Sequence, residues 1–87
     1  MSEESPLTFP CRFPIKVMGL NTETFENEMF MIANRFIPDL GEAAINSRAS
    51  RSAKYLSVTV TLTAQSREQL DNLYIAFNKH PDVKMVL

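Results

Sequence analysis

Cys11 and His80 are the single cysteine and the single histidine of this 87-residue sequence, and they are its first candidates for metal binding or covalent catalysis. A soft-metal site of the chaperone type needs two thiolates close together, and a catalytic cysteine needs a base beside its thiol. The two residues stand at opposite ends of the chain, so we predict neither a metal site nor a cysteine nucleophile. In the structural interpretation, Cys11 fills space in or near the core and His80 caps the C-terminal end of a helix.

Other catalytic patterns are missing from the sequence as well. Gly19 and Gly41 are its only glycines, so no nucleotide-binding glycine fingerprint can be formed. No pair of titratable residues is placed to divide the roles of acid and base. The sequence therefore predicts a protein that is not an enzyme and that uses no cofactor.

Gly19, Asn21 and Thr22 form the first candidate binding site, at the junction between a predicted strand and a predicted helix. Free backbone amides at the N-terminus of a helix suit a carboxylate or a phosphate. The alternative is structural, with Gly19 as a turn residue and Asn21 or Thr22 as the helix cap. The residue types fit both interpretations.

The second candidate is an interaction surface on the outer face of a predicted sheet. Lys16 and Lys84 are expected to lie beside each other on neighbouring strands, where they repel unless an anion or a partner's carboxylate lies over them. The alternative is an ordinary exposed face with a few apolar residues. The predicted surface consists of Lys16, Met18, Thr59, Thr61, Lys84 and Val86.

The third candidate is a basic loop formed by Arg48, Arg51 and Lys54, which are three of the nine basic residues. The segment 48–54 has no apolar periodicity and is typical of a hairpin loop. Its functional interpretation is a contact with an anionic partner, and its structural alternative is a solvated hairpin tip.

The elements that position these residues follow from apolar periodicity. Alternating residues predict a strand over 13–17 that ends at Gly19. Apolar residues at helical spacing predict a helix over 23–37, ended by Pro38. A weaker strand signal covers 42–48.

The second half of the chain carries stronger signals. Strict alternation over 55–64 predicts a half-buried strand. Ser66 and Gln69 have the spacing of a capping box, which opens a second helix. Alternation over 83–87 predicts a last strand. The residues of this strand that are predicted to face the core are Val83, Met85 and Leu87.

The element order βαββαβ predicts an α+β fold. Both amphipathic helices must cover the one apolar face of the sheet, and each crossover should be right-handed. The ferredoxin-like sandwich satisfies these requirements, with a four-stranded antiparallel sheet in the order 4-1-3-2 and two helices on one face. Residues 1–10 are expected to form a flexible N-terminal tail, and residues 11–87 a single domain.

Composition predicts a cytoplasmic protein. A lone cysteine cannot form an intrachain disulfide, the N-terminus lacks the pattern of a signal peptide, and no apolar run approaches the roughly 20 residues that cross a bilayer. The formal net charge of −1 is a weak argument against a nucleic-acid binder. We therefore expect neither a nucleic acid nor a membrane among its partners.

Several segments resemble the YbeD-like family of small bacterial proteins. The segments 16–19 (KVMG) and 83–87 (VKMVL) are the most specific, and the resemblance covers nearly the whole chain after the predicted tail. The further residues that carry it are Phe9, Pro10, Phe13, Tyr55, Ser57, Val58, Thr59, Val60, Leu73 and Tyr74.

This resemblance implies a ferredoxin-like fold close to ACT-type regulatory domains, which bind small molecules, often amino acids, at dimer interfaces. It marks Lys16, Gly19, Tyr55 and Lys84 without attaching a reaction to them. The family pattern commonly has a glycine shortly before the tyrosine, whereas this chain has Ser-Ala-Lys at 52–54.

Together, the residues and the resemblance predict a non-catalytic regulatory or ligand-binding module. Its expected partner is a small anionic metabolite or another protein, and a homodimer is one option. The alternative function is a protein–protein interaction adaptor that docks through the open face of the sheet.

Overall fold

Four strands, two helices and one short 3-10 turn make up residues 8–87, the part of the chain that the computed structural model describes. Positions 1–7 of the predicted tail lie outside the described residues, and Phe9 packs against the core. The elements are β1 (Cys11–Leu20), α1 (Phe25–Phe36), the 3-10 turn (Glu42–Ala44), β2 (Ile45–Ala49), β3 (Tyr55–Ala64), α2 (Arg67–Asn78) and β4 (Val83–Val86).

The four strands form one antiparallel sheet in the order β2-β3-β1-β4. This is the predicted order 4-1-3-2 read from the opposite edge, so the α+β ferredoxin-like fold is confirmed. β1 and β3 occupy the centre and pair along their whole length, from Cys11 opposite Ala64 to Leu20 opposite Tyr55. The long central pair therefore provides the platform on which the other elements are placed.

Both helices cover the same face of the sheet, which we call the core face. Ile15 and Val17 point to this face and are fully buried, whereas Lys16 between them is exposed. Burying one such aliphatic side chain stabilises the fold by about 1.5–3 kcal/mol relative to leaving it in water. The helix residues buried against the core face are Phe25, Met29, Ile32 and Ala33 of α1 and Leu70, Leu73 and Phe77 of α2.

The two helices begin in different ways. Ser66 caps α2, because its hydroxyl accepts a hydrogen bond from the backbone N–H of Gln69 at 3.1 Å, which confirms the predicted cap. The side-chain oxygen of Gln69 accepts from the backbone N–H of Gln65 at 2.8 Å, so the return bond goes to the residue before the cap and not to Ser66 as in a strict capping box. α1 begins after Thr24 without a side-chain cap, so the predicted cap at Asn21 or Thr22 is wrong.

Within residues 8–87, neither helix is long enough and apolar enough to cross a membrane.

Gly19 lies inside β1, so the predicted end of this strand is wrong. It stands opposite Leu56 on β3 and Val83 on β4. A methyl group added at Gly19 would lie 2.4 Å from Cζ of Phe25 and 2.5 Å from the carbonyl oxygen of Asp82. Glycine is required here because the first residue of α1 and the backbone before β4 both press against the strand.

A β-bulge in β4 changes which of its residues face the core. Gly19 pairs with Val83, but Met18 pairs with Met85, so Lys84 is an extra residue without a partner on β1. One inserted residue reverses the alternation beyond it, because side chains in a strand have a period of two. Met85 therefore shares the outward direction of Met18, contrary to the prediction.

The two residues after Met85 are displaced in the same way. Val86 lies opposite Val17 and packs against the core, so its predicted place on the outer surface is wrong. Leu87 exchanges backbone hydrogen bonds with Lys16, at 2.8 and 3.1 Å, and therefore shares the outer face with it.

Replacing Gly19 by alanine is expected to lower the free energy of unfolding by about 3 kcal/mol, because the new methyl group overlaps a buried ring and a backbone carbonyl. Gly41→Ala is the matched control, since a methyl group there meets nothing within 4 Å and its φ of −90° suits alanine. The control should change stability by less than about 0.5 kcal/mol. Urea unfolding followed by circular dichroism measures both, and equal stability of the two variants would contradict the role assigned to Gly19.

Candidate functional site

The face opposite the helices, which we call the open face, carries basic side chains held in a fixed register. Residues directly opposite each other in an antiparallel sheet project to the same face. Lys16 lies opposite Thr59, and Arg48 lies opposite Ser57 in the next row. The two central rows, read from β1 to β2, are Lys16, Thr59 and Asn46, then Met18, Ser57 and Arg48.

These rows surround a shallow cavity of about 460 Å³, which we call the basic concavity. Lys16 and Arg48 supply positive charge, and the hydroxyl groups of Ser57 and Thr59 supply neutral hydrogen-bond donors between them. Its volume lies within the roughly 300–1,000 Å³ that is typical of small-ligand sites. The lining residues are Lys16, Asn46, Ser47, Arg48, Ser57 and Thr59.

Neither cation of the basic concavity has an acidic partner within residues 8–87. The ion pairs of this part of the chain lie on the helical side and involve neither Lys16 nor Arg48. Two like charges that border one cavity repel each other, and an anion placed between them removes that repulsion. The arrangement is therefore suited to an anionic group.

Charge is divided between the two layers of the molecule. None of the eight acidic residues among positions 8–87 lies in a strand or in the hairpin between β2 and β3. Six of the nine basic residues lie in those segments, so the formal net charge of −1 conceals a basic sheet layer. The acidic residues of positions 8–87 lie in α1, α2, the 3-10 turn and the connecting loops. The basic residues of the sheet layer are Arg12, Lys16, Arg48, Arg51, Lys54 and Lys84.

Beside the basic concavity, the open face is apolar towards β4. Met18 is half-buried, Met85 is 48% exposed and Leu87 is 62% exposed. Met85 lies opposite Met18, and Leu87 lies opposite Lys16 in the next row. Met18, Met85 and Leu87 therefore form one patch, which we call the apolar strip. The open face thus combines positive charge on one side with uncovered apolar area on the other.

The predicted interaction surface is only partly brought together. Lys84 does not lie opposite Lys16, because Leu87 holds that position. Thr61 is on the open face but lines a separate cavity of about 300 Å³ at the end of the sheet. Val86 is on the core face. The residues that the structure does bring together are Lys16, Met18 and Thr59.

The amides at the predicted junction site have backbone partners. The backbone N–H of Asn21 donates to the carbonyl of Lys54 at 3.0 Å, and its side-chain amide donates to the carbonyl of Ala53 at 3.0 Å. The N–H of Thr22 donates to a carbonyl two residues earlier. These bonds tie the start of α1 to the β2–β3 hairpin, and Gly19 is a packing position inside β1. The junction residues therefore have structural roles other than the predicted turn residue and helix cap. Anion binding at this junction stays a prediction.

The three residues of the predicted basic loop occupy different places. Arg48 belongs to β2 and lines the basic concavity. Arg51 is exposed in the hairpin loop. The Lys54 ammonium lies 5.5 Å from the centre of the Tyr55 ring, in the range of a cation–π contact. Only Arg48 joins Lys16.

Ala53 has a positive φ of 63°, the left-handed conformation that glycine adopts without steric cost. Its carbonyl receives the side-chain bond from Asn21, so the hairpin needs this backbone shape to reach the start of α1. The glycine that the family pattern commonly has near this position would suit the same conformation.

His80 follows α2, and its backbone N–H donates to the carbonyl of Phe77 at 3.1 Å. Its side chain does not cap that helix, contrary to the prediction, and instead joins α1 to the turn before β4. Its Nδ1 accepts a hydrogen bond from the backbone N–H of Asp82 at 3.1 Å, which assigns the proton of the neutral ring to Nε2. Nε2 then donates to Oε1 of Glu28 at 2.7 Å. The other oxygen of that carboxylate accepts from the hydroxyl of Thr24 at 3.1 Å, and Phe25 meets the imidazole edge to face at 5.9 Å.

Glu28, His80 and Asp82 each also have an atom of a type that can bind a metal, and these three atoms lie within 4.8 Å of one another. In the observed arrangement Nδ1 accepts an amide proton and Nε2 carries its own, so neither ring nitrogen offers a lone pair to a metal. The cluster is used in holding α1 to the turn before β4, and we assign no metal to it.

The sequence-based prediction did not include Asn46 and Ser57 among the site residues. Ser57 had a detectable signal, because it alternates in step with Thr59 along β3. Asn46 had none, and Arg48 was predicted only as part of the basic loop. Their alignment with Ser57 and Thr59 depends on the register between β2 and β3, which the length of the hairpin loop decides.

Comparison with known families places the whole described chain within one group of sequences. A family model described as "Protein of unknown function (DUF493)" matches residues 4–87. A UPF0250 protein of Nitrosomonas europaea is 44% identical over 87 residues, which cover 100% of both chains. A UPF0250 protein of Chromobacterium violaceum is 43% identical over 89 residues, again covering 100% of both. The resemblance to YbeD-like proteins is confirmed.

Comparison with solved structures supports the same topology. The solution structure of protein HP0495 from H. pylori aligns with a TM-score of 0.79 at 14% identity, covering 99% of this chain and 90% of that one. The ACT domain from the GTP pyrophosphokinase of Chlorobium tepidum aligns with a TM-score of 0.67 at 17% identity, covering 87% and 84%. At such identities the likeness shows the fold alone.

Ala53→Gly is expected to raise the free energy of unfolding by about 0.5–1 kcal/mol, because relief of the left-handed strain exceeds the entropic cost of glycine. Ala76→Gly in the last turn of α2 is the matched control and should lower it by up to about 1 kcal/mol. Chemical denaturation measures both. A loss of stability in Ala53→Gly would show that the hairpin does not hold the left-handed backbone in solution.

Proposed function

We propose that this chain, which belongs to the DUF493 family of proteins of unknown function, is a non-catalytic cytoplasmic module that binds a small anionic ligand in the basic concavity of its open face. The observation that carries the proposal is that Lys16 and Arg48 border one cavity and have no acidic partner within residues 8–87. A ligand carboxylate or phosphate would receive charge-assisted hydrogen bonds there, which are stronger than neutral ones.

The way in which the site is built supports binding. Its residues project from β1, β2 and β3, whose pairing fixes the spacing between the two rows. A site on paired strands loses little backbone freedom when it binds a ligand. The ACT-like topology fits a regulatory or ligand-binding module and does not identify the ligand.

A protein–protein interaction adaptor that docks through the same open face is the second candidate function. The specific observation in its favour is the apolar strip, where Met85 and Leu87 are about half exposed or more. A small anion in the basic concavity would leave this strip uncovered, whereas a protein partner would bury it.

Inorganic phosphate and citrate are the probes for the proposed function, and thermal unfolding of the full chain is the measurement. Binding to the folded state alone stabilises it, by about 2.7 kcal/mol when the ligand is at 100 times its dissociation constant. We expect citrate to raise the melting temperature at millimolar concentration. Lys16→Gln and Arg48→Gln should each remove most of this increase.

Arg67→Gln is the matched control, because Arg67 is an exposed cation on α2 that lies 3.8 Å from Asp71. It should respond to citrate and phosphate as the unaltered chain does. The proposal fails if neither anion changes the melting temperature. It also fails if the increase is the same in Lys16→Gln, Arg48→Gln and Arg67→Gln, since the anion would then act on the whole surface.

A further inference from the structure

We propose that the open face docks an acidic amphipathic helix of another protein and rejects a second copy of this chain. This inference rests on the proposed function, because the basic concavity supplies the charge that selects the partner. It goes further by naming the partner's chemistry and by giving the apolar strip a role.

Charge argues against pairing with a second copy through this face. Two open faces brought together would oppose Arg12, Lys16 and Arg48 of one chain to the same residues of the other. No strand or hairpin position within residues 8–87 carries a carboxylate that could offset them. Like charges placed opposite each other across an interface act against association. The homodimer predicted as an option from the sequence is therefore disfavoured on this face.

The same charges favour a partner that carries carboxylates. Glutamate or aspartate side chains over the basic concavity would meet Lys16 and Arg48 together with the donor groups of Ser57 and Thr59. The Arg48 guanidinium can hold a carboxylate with two parallel hydrogen bonds, which adds directional selectivity.

The apolar strip gives such a partner an anchor beside its acidic groups. Met18 lies on β1, Met85 on β4 and Leu87 directly after β4, whereas the basic concavity extends from β1 to β2. Methionine side chains are flexible and adapt to the surface of a bound helix. A partner that places apolar residues over the strip and acidic residues towards β2 would match both halves of the face.

Dimensions favour a helix as the docked element. Neighbouring strands lie about 4.8 Å apart, so the strip and the middle of the concavity are separated by roughly 10 Å. That distance is about the diameter of an α-helix with its side chains. The core face already shows that this sheet packs against helices, and a helix laid along β1 on the open face would complete a second such layer.

Three synthetic helical peptides test the proposal. All share one length and the same leucines at helical spacing, and their remaining positions carry mainly glutamate, glutamine or lysine. Fluorescence anisotropy with the full chain should rank their affinities in the order glutamate, glutamine, lysine. We expect at least about a tenfold difference between the first and the last, as several exposed charge pairs change sign. Amide chemical-shift changes should map to β1, β3 and Met85.

Two sets of variants assign the effect to the two halves of the face. The double variant Lys16→Glu with Arg48→Glu should reverse the order, so that the lysine peptide binds more tightly than the glutamate peptide. Met85→Ser should weaken the glutamate and glutamine peptides alike. The matched controls are Arg67→Glu and Met31→Ser, which alter a cation and a 59% exposed methionine on the helical side and should leave the order unchanged.

Several results would overturn the proposal. The first is equal binding of the three peptides, and the second is a set of chemical-shift changes confined to the helices. The others are tighter binding of a single-stranded oligonucleotide than of the glutamate peptide, and self-association of the chain with contacts at Met18 and Met85. Citrate titration of the same samples separates this inference from the proposed function. Citrate binding that depends on Lys16, with no discrimination among peptides, overturns the inference alone, and the loss of both responses overturns both.

Discussion

The close approach of Phe25 and of the Asp82 carbonyl to Gly19 is the constraint on which the two-layer arrangement depends. At this one position of β1, the first residue of α1 packs over the strand and the backbone before β4 meets its edge. His80 holds the same corner, because its ring contacts Phe25 and accepts the amide proton of Asp82. The corner is closed by packing and by hydrogen bonds, whereas Lys16 and Arg48, which have no acidic partner within residues 8–87, lie on the other side of the sheet.

The open face is exposed because both helices cover the core face of the four-stranded sheet. The core face holds its side chains in close contact, whereas the open face displays hydroxyl, amide and cationic groups at spacings set by strand pairing. The bulge at Lys84 adds to this face, because it turns Met85 and Leu87 outwards and Val86 inwards. Charge and apolar area therefore meet along β1, with Lys16 between them.

The parts of the fold that could be predicted from the sequence are those with a strong periodic signal. The bounds of β3 were predicted correctly, and the cap of α2 followed from Ser66 and Gln69 alone. The residues from Met85 onward were assigned the wrong faces because a bulge inserts one residue without any signal in the pattern, whereas Val83 faces the core as predicted. Gly19 was predicted to end the strand. A glycine that ends a strand cannot be distinguished in a sequence from one that leaves space for a neighbouring aromatic ring, such as that of Phe25. The candidate site was only half predicted, since Lys16 and Arg48 come to border the same cavity through a register that no local pattern encodes.

Basic residues are concentrated in the sheet and its hairpin, and the acidic residues of positions 8–87 lie outside these segments, which has a consequence for how the protein meets other molecules. Charges separated in this way give the protein a dipole whose positive end is the sheet, although its formal net charge is only −1. The field of a charged partner turns such a molecule before contact, so that more encounters begin with the sheet facing an anion. Encounter rates would therefore fall as added salt shortens the distance over which the field acts.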